Sequence, residues 1–452
     1  MKKKEKEYNF DKKFWKNFII KKFKKAIIIL KVIKLKHKKL LIAFLLLFLI
    51  TILIYVCAID SIPKNIILFK GEELNIKKIF GISLEDRESE HGIILTSTKS
   101  AENQEIGTAN LKVKLFNIFN VKDIDVSVIE RTKVIPIGQV SGIKLYTSGV
   151  LVVGMSEIRG IDNIKHKPYE NTGIQEGDTI VQVEDKSIKD TKDLVELVNL
   201  SKGKEVNIKY KRNDEIMKCS IIPVKTGDKE YKLGLWVRDS AAGIGTMTYL
   251  EICTNNFAAL GHGITDIDTG NIINISNGQF ITTKVISIIK GKDGNPGKIQ
   301  GSINEQSEIG TINKNTIFGI YGTVSDITKI KMDNKEIDVA TRNEIVLGEA
   351  TILCSLDEEK AKEYKIQIEK IYLNNDYDNK SMLIKVTDEE LIKKTGGIIQ
   401  GMSGSPVIQN GKFIGAVTNV LINDPTKGYV VFGDLMVKEM KSVYWKLLNK
   451  VV

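Results

Sequence analysis

Histidine and cysteine are scarce, with four of each in 452 residues. The cysteines, Cys57, Cys219, Cys253 and Cys354, show no C-x-x-C spacing, which argues against a zinc site and against a disulfide framework. Burial as small apolar side chains is expected of them, with a Cys219–Cys253 bridge as the alternative in an exported protein. No metal and no cofactor is expected. A net positive charge is also missing from most of the chain. The formal net charge is +11, but residues 1–39 hold 16 Lys or Arg against three acids, which leaves the rest at −2. Without a polycationic face to neutralise phosphates, nucleic acid is excluded as a partner.

What is present is ordinary for a folded protein: 42% apolar and 27% charged, over a length that allows two or three domains. The basic tail, 1–39, abuts the uncharged run LLIAFLLLFLITILIYVCAI at 40–59. At about 1.5 Å per residue this run crosses a bilayer core of about 30 Å. One membrane helix is expected, with the lysines cytoplasmic and everything from about Asp60 outside the cytoplasm. A cleavable signal peptide is the competing reading, since Val56-x-Ala58 is an acceptable cleavage site, but the run is longer than a usual signal core.

Beyond the membrane the pattern is mainly β. Residues 110–129, NLKVKLFNIFNVKDIDVSVI, alternate in two stretches broken near Asn117 to Asn120, and predict an antiparallel pair in a small β spacer module at 60–130. From Leu233 glycines punctuate further strands, and A-A-L-G-H-G-I-T-D-I-D-T-G runs from Ala258 to Gly270. Near the end stands Q-G-M-S-G-S-P-V-I, Gln400 to Ile408. Such a Gly, Ser and Pro cluster is either a tight turn or a nucleophile site.

The histidines help to decide. His37 lies in the tail, His91 in the spacer and His166 in a polar loop, whereas His262 stands between two glycines in the strand-rich domain that holds the serines. A serine hydroxyl needs an imidazole to take its proton and a group to fix the imidazole's tautomer. Asp266, Asp268 and Asp326 are possible carboxylates. Asp266 follows His262 by four residues, roughly 13 Å along a strand, too far to bond it unless the chain turns.

Three resemblances follow from these motifs. Ser141-Gly142-Ile143-Lys144-Leu145, the strand Gly149 to Val153, N-T-G-I-Q-E-G-D-T-I-V-Q-V-E-D-K-S-I (Asn171 to Ile188) and an apolar-periodic helix at 191–200 resemble a PDZ domain of the bacterial exported-protease type, placed at 131–228. In that family a peptide adds to a sheet edge and its carboxylate sits in a Gly-containing loop. This implies Ser141 and Gly142 as the loop, Ile143 to Leu145 as the accepting strand, and the helix as the opposite wall. G-M-S-G-S-P resembles the G-D-S-G-G-P turn of chymotrypsin-like proteases, which implies a double β-barrel at 229–452, Ser403 as nucleophile, and the amides of Gly401 and Ser403 as the oxyanion hole.

Together with R-D-S-A-A-G-I-G-T-M-T (Arg238 to Thr248) and N-D-P-T-K-G-Y (Asn423 to Tyr429), these motifs resemble the stage IV sporulation protein B family of serine peptidases. The resemblance implies His262 and Ser403 as catalytic residues, and Asp388, about fifteen residues before the serine, as the orienting carboxylate. It also implies self-cleavage and residence in the forespore intermembrane space. The implied partner is a membrane-bound regulator of an intramembrane metalloprotease. Asn419 departs from the family, where a histidine is common. The alternative is a catalytically inactive, membrane-tethered PDZ adaptor.

Overall fold

The computed structural model describes residues 21–22, 38–72, 74, 81–86, 106–213, 215–356, 360–374 and 378–448. His37, His91 and most of the basic tail lie outside the described residues. The chain divides into two units, Met1–Ile62 and Pro63–Val452. The first contains the helix Lys38–Ser61, which by length and composition is able to cross a membrane. Its 24 residues span about 36 Å.

The second unit opens with a four-stranded sheet in the order Asn65–Phe69, Phe119–Ile129, Gly107–Leu115, Ile82–Asp86. The expected antiparallel pair is there, with Leu111 opposite Ile124. This sheet is not a free-standing spacer. Ile67 and Phe69, both fully buried, join the same apolar core as Val407, Phe413 and Phe432 far along the chain.

Two rings of six strands follow. The second closes in the order Gly348–Cys354, Lys362–Ile371, Met382–Val386, Asp424–Phe432, Lys412–Leu421, Pro406–Gln409. The hairpin at Asn410 and Gly411 has both residues at positive φ, as a type I′ turn needs. The first ring contains Leu235–Glu251, Asn256–Ala259, Gly319–Val324, Lys298–Thr316 and Ile275–Ile289, and is closed by the 23-residue strand Lys133–Met155.

That closing strand corrects the expected boundaries at 131 and 228. Residues 133–147 belong to the first barrel, pairing with 240–250 on one side and 275–282 on the other. Beyond Gly149 the same strand runs on into the PDZ module, where it pairs with Thr179–Val183 and with the start of Leu235–Glu251. The PDZ domain is therefore inserted between the first two strands of the barrel, not placed ahead of it. Gly149 makes the crossing possible: its φ is +120°, and a Cβ there would overlap the Ile180 carbonyl. A register shift between Arg238 and Ser240 marks the same crossing on the neighbouring strand. Each module keeps its own core, around Phe257 and Phe280 in the first barrel and around Ile180, Leu194 and Ile208 in the PDZ domain.

One buried ion pair ties distant segments. The Arg342 guanidinium bonds both Asp434 oxygens, at 3.0 and 3.2 Å. It lies 5.0 Å over the Phe432 ring and reaches the Asn65 carbonyl at 3.5 Å. The cysteines are all free; Cys354 is buried as expected, but Cys253 is exposed.

Candidate active site

The serine turn is built by glycine backbone. Gly401 and Gly404 have φ of +101° and +97°, and a Cβ on Gly404 would overlap the Thr246 carbonyl and crowd Leu260. Thr246, from the R-D-S-A-A-G-I-G-T-M-T motif, is the strut of this turn. Its Oγ1 donates to the Gly401 carbonyl at 2.7 Å and its N–H to the Ser403 carbonyl at 2.9 Å. Sequence reasoning gave Thr246 no role, because only the fold brings it to the turn.

Met402 N–H donates to the Ile399 carbonyl and Ser405 N–H to the Met402 carbonyl. Among the described residues the N–H groups of Gly401 and Ser403 find no acceptor. Two vacant donors beside a hydroxyl are what an oxyanion hole requires. Ser403 is the accessible hydroxyl, and its Oγ donates to the Thr418 carbonyl at 2.6 Å. Ser405 is fully buried and unsuited to attack a substrate. Cys354, buried beside Ser405 and Thr246, has its thiol pushed up to about 11 by burial and is inert.

His262 reaches the same place from the first barrel. Leu260 N–H bonds the Thr246 carbonyl, and Gly261 packs against Thr418, Ala416 and Val431. The half-buried imidazole bonds the Gly263 carbonyl through Nδ1 at 2.9 Å, which puts the proton on Nδ1 and leaves Nε2 as the base. Burial lowers its pKa, against a smaller opposing effect of the Gly263 carbonyl. The neutral base therefore persists below the ordinary histidine range. The acid limb of kcat/KM on a small ester should fall below about pH 6.5, as a pH–rate profile will show. A limb above that value would reveal a carboxylate partner for His262.

Asp388 is not brought to this histidine. Its Oδ1 caps the helix Glu389–Thr395 by accepting from Leu391 N–H at 3.0 Å, and its Oδ2 accepts from Lys365 N–H at 3.2 Å. Burial raises its carboxyl, but these backbone donors more than offset that and hold it below the ordinary range. Register explains the separation. Met382 pairs with Val430 near Gly261, whereas Asp388 lies six residues on, past the other end of its strand, about 20 Å of extended chain. Among the described residues no carboxylate bonds His262. Asparagine caps a helix as well as aspartate does. Asp388→Asn should thus keep turnover within about tenfold, whereas a triad aspartate would lose about 10⁴-fold. Steady-state kinetics separate the two.

The other acidic candidates are also engaged elsewhere. Asp326 caps a short 3-10 turn. Asp266 is buried and, with Asp268, pairs with Arg238; it also accepts from the N–H groups of Asp268 and Thr269. These bonds fasten the loop that leaves His262 to the strand that enters from the PDZ domain.

The implied peptide site at Ser141, Gly142, Ile143 and Leu145 is overturned. These residues lie buried in mid-strand with both edges paired, Ile143 between Gly243 and Phe280. A peptide has no edge there to join. Among the described residues the strand edge that faces the helix Thr191–Leu200 without a strand partner is at 235–239, whose other edge pairs with 151–155. The helix Thr191–Leu200 runs alongside it, tied at one end by Thr191 N–H to Asp239 at 2.9 Å and at the other by Tyr231 N–H to Asn199 at 2.8 Å. Leu235 and Val237 pack with Leu194 and Val198 between them. Gly234, at φ +75°, precedes the strand. The signal was present as Lys232-Leu233-Gly234-Leu235-Trp236, a glycine between apolar residues at a strand start.

Residues 229–437 match the SpoIVB peptidase S55 family and residues 124–222 the PDZ domain family. The chain is a SpoIVB-type, PDZ-containing serine peptidase. No curated protein matches it. The PDZ domain of an SdrC-like protein from Listeria monocytogenes is 18% identical over 20% of this chain and 87% of its own, with a TM-score of 0.16. The active form of the Rv3671c protease from M. tuberculosis is 14% identical over 45% of this chain and 74% of its own, with a TM-score of 0.26. The S55 domain match begins at 229, so it leaves out residues 133–147, the closing strand of its own first barrel.

Proposed function

We propose that this peptidase is an anchored extracytoplasmic endopeptidase in which Ser403 attacks the peptide carbonyl, His262 Nε2 takes the proton, and the Gly401 and Ser403 amides hold the oxyanion. The observation that carries this reading is the turn that leaves those two amides vacant beside an accessible hydroxyl. The Gly263 carbonyl serves as the tautomer-fixing partner, so a Ser–His pair does the chemistry. The hydroxyl must first swing from the Thr418 carbonyl toward the imidazole.

The substrates proposed are the chain itself and a membrane-bound regulator, presented along the 235–239 edge, in proteolytic signalling between compartments during endospore formation. The family resemblance supports that setting. A second reading, an inactive PDZ adaptor, is favoured by the bond from Ser403 to Thr418. N-terminal sequencing of the mature protein tests the choice. A new N-terminus in the wild type that is absent from Ser403→Ala supports the peptidase, and identical termini support the adaptor.

A further inference from the structure

The segment that leads into the serine turn lies outside the barrel strands. It runs from Gly396 to Gly401, between the helix Glu389–Thr395 and the strand Pro406–Gln409. Its last residue, Gly401, has φ of +101° and supplies one of the two vacant amides. Glycine populates either sign of φ with similar ease. The peptide joining Gln400 to Gly401 is therefore free to turn over at little cost, and its N–H would then leave the hole.

A contact from the other barrel fixes that peptide. Ile299 N–H donates to the Gln400 carbonyl at 2.8 Å, and Gln400 N–H donates to the Gly297 carbonyl at 2.8 Å. In a trans peptide the C=O and the N–H that follows it point opposite ways. Holding the Gln400 carbonyl on Ile299 thus turns the Gly401 N–H to the far side, where it meets no acceptor among the described residues. The Ile299 side chain, 5% exposed, fills the space against the glycine: a Cβ on Gly401 would stand 3.0 to 3.2 Å from it. Ile299 belongs to the hairpin of Ile275–Ile289 and Lys298–Thr316 in the first barrel. Further bonds from the tip of that hairpin gather on the same approach, Gly291 N–H to the Thr395 carbonyl at 2.8 Å and Gly294 N–H to the Ile422 carbonyl at 3.0 Å.

We propose that Ile299 is a positioning residue for the oxyanion hole, its N–H and side chain holding the Gln400–Gly401 peptide in the orientation that presents the Gly401 amide to the developing oxyanion. The inference rests on the reading of Ser403 as nucleophile. It makes the hole a product of both barrels, so the first barrel stabilises the transition state as well as carrying His262.

The test removes one donor. In the full chain the backbone amide of Ile299 is replaced by a backbone ester, through incorporation of the α-hydroxy acid analogue of isoleucine, which deletes the N–H and keeps the side chain. On a small ester substrate kcat should fall about 10- to 100-fold, short of the roughly 10²–10³ lost when a donor of the hole is deleted outright. KM and the acid limb of the pH–rate profile should stay in place, because His262 and the substrate contacts are untouched. Ile299→Ala should lower kcat in the same manner, and Ile299→Val, which keeps the branch against Gly401, should retain most of it. An unchanged kcat in the backbone-ester variant overturns the proposal, and so does a loss carried by KM or by a shifted acid limb. An unmodified protein without activity on the substrate overturns the Ser403 reading and this inference with it, which tells the two failures apart.

Discussion

Ser403→Ala and His262→Ala should each lower peptide cleavage by on the order of 10⁴ to 10⁶, and the double variant should be little worse than either. Non-additivity is expected because the serine and the imidazole perform one proton transfer together. Ser405→Ala provides the contrast. Its hydroxyl is fully buried beneath the turn and has no hydrogen-bond partner among the described residues, so its loss should leave turnover nearly unchanged. The measurement is kcat and KM on a small ester and on a peptide, with folding checked by circular dichroism. Loss of activity in Ser405→Ala, with Ser403→Ala still active, would reverse the assignment of the two serines.

The largest expected effect on stability is at Asp434→Asn. The aspartate is fully buried and bonds both the guanidinium and the backbone N–H of Arg342, itself 1% exposed. Removing one member leaves a buried charge without its counterion, which destabilises by about 3–5 kcal/mol. The damage should spread, because the same guanidinium touches Phe432 of the second barrel and the carbonyl of Asn65 in the entering strand. Urea unfolding followed by fluorescence should show a clearly lowered midpoint. A methionine at 342 together with leucine at 434 should recover part of the loss, since an apolar pair of similar volume has no charge to desolvate. An unchanged midpoint in Asp434→Asn would show that the pair does not hold these segments together.

Ser403 and His262 could be singled out as candidates because each sits in a short glycine-framed motif whose backbone demands are local. The two-barrel class was legible for the same reason, as strand alternation and the Asn410-Gly411 turn are properties of neighbouring residues. Insertion of the PDZ domain into the first barrel was not, because Lys133–Met155 is one continuous strand and its change of partners at Gly149 is set by residues distant in the sequence, from Ile180 to Ile275. The strand edge beside the helix was misplaced for a related reason: it comes at the end of the domain, at 235–239, not at its start. Asp388 could have been read differently from its own neighbourhood. Thr387-Asp388-Glu389-Glu390-Leu391 is a helix start, with a capping residue and acids in the first turn.

The most direct measurement is covalent labelling of the full chain with a phosphonofluoridate reagent, with the adduct located by peptide mass mapping. Such a reagent reacts with a serine only where a base activates the hydroxyl and vacant donors receive the phosphoryl oxygen, so it reads His262, Ser403 and the two amides at once. One adduct, on the peptide containing Ser403 and absent from His262→Ala, is the expected result. No adduct on correctly folded protein, or an adduct on any other serine, would contradict the assignment of this turn as the catalytic centre.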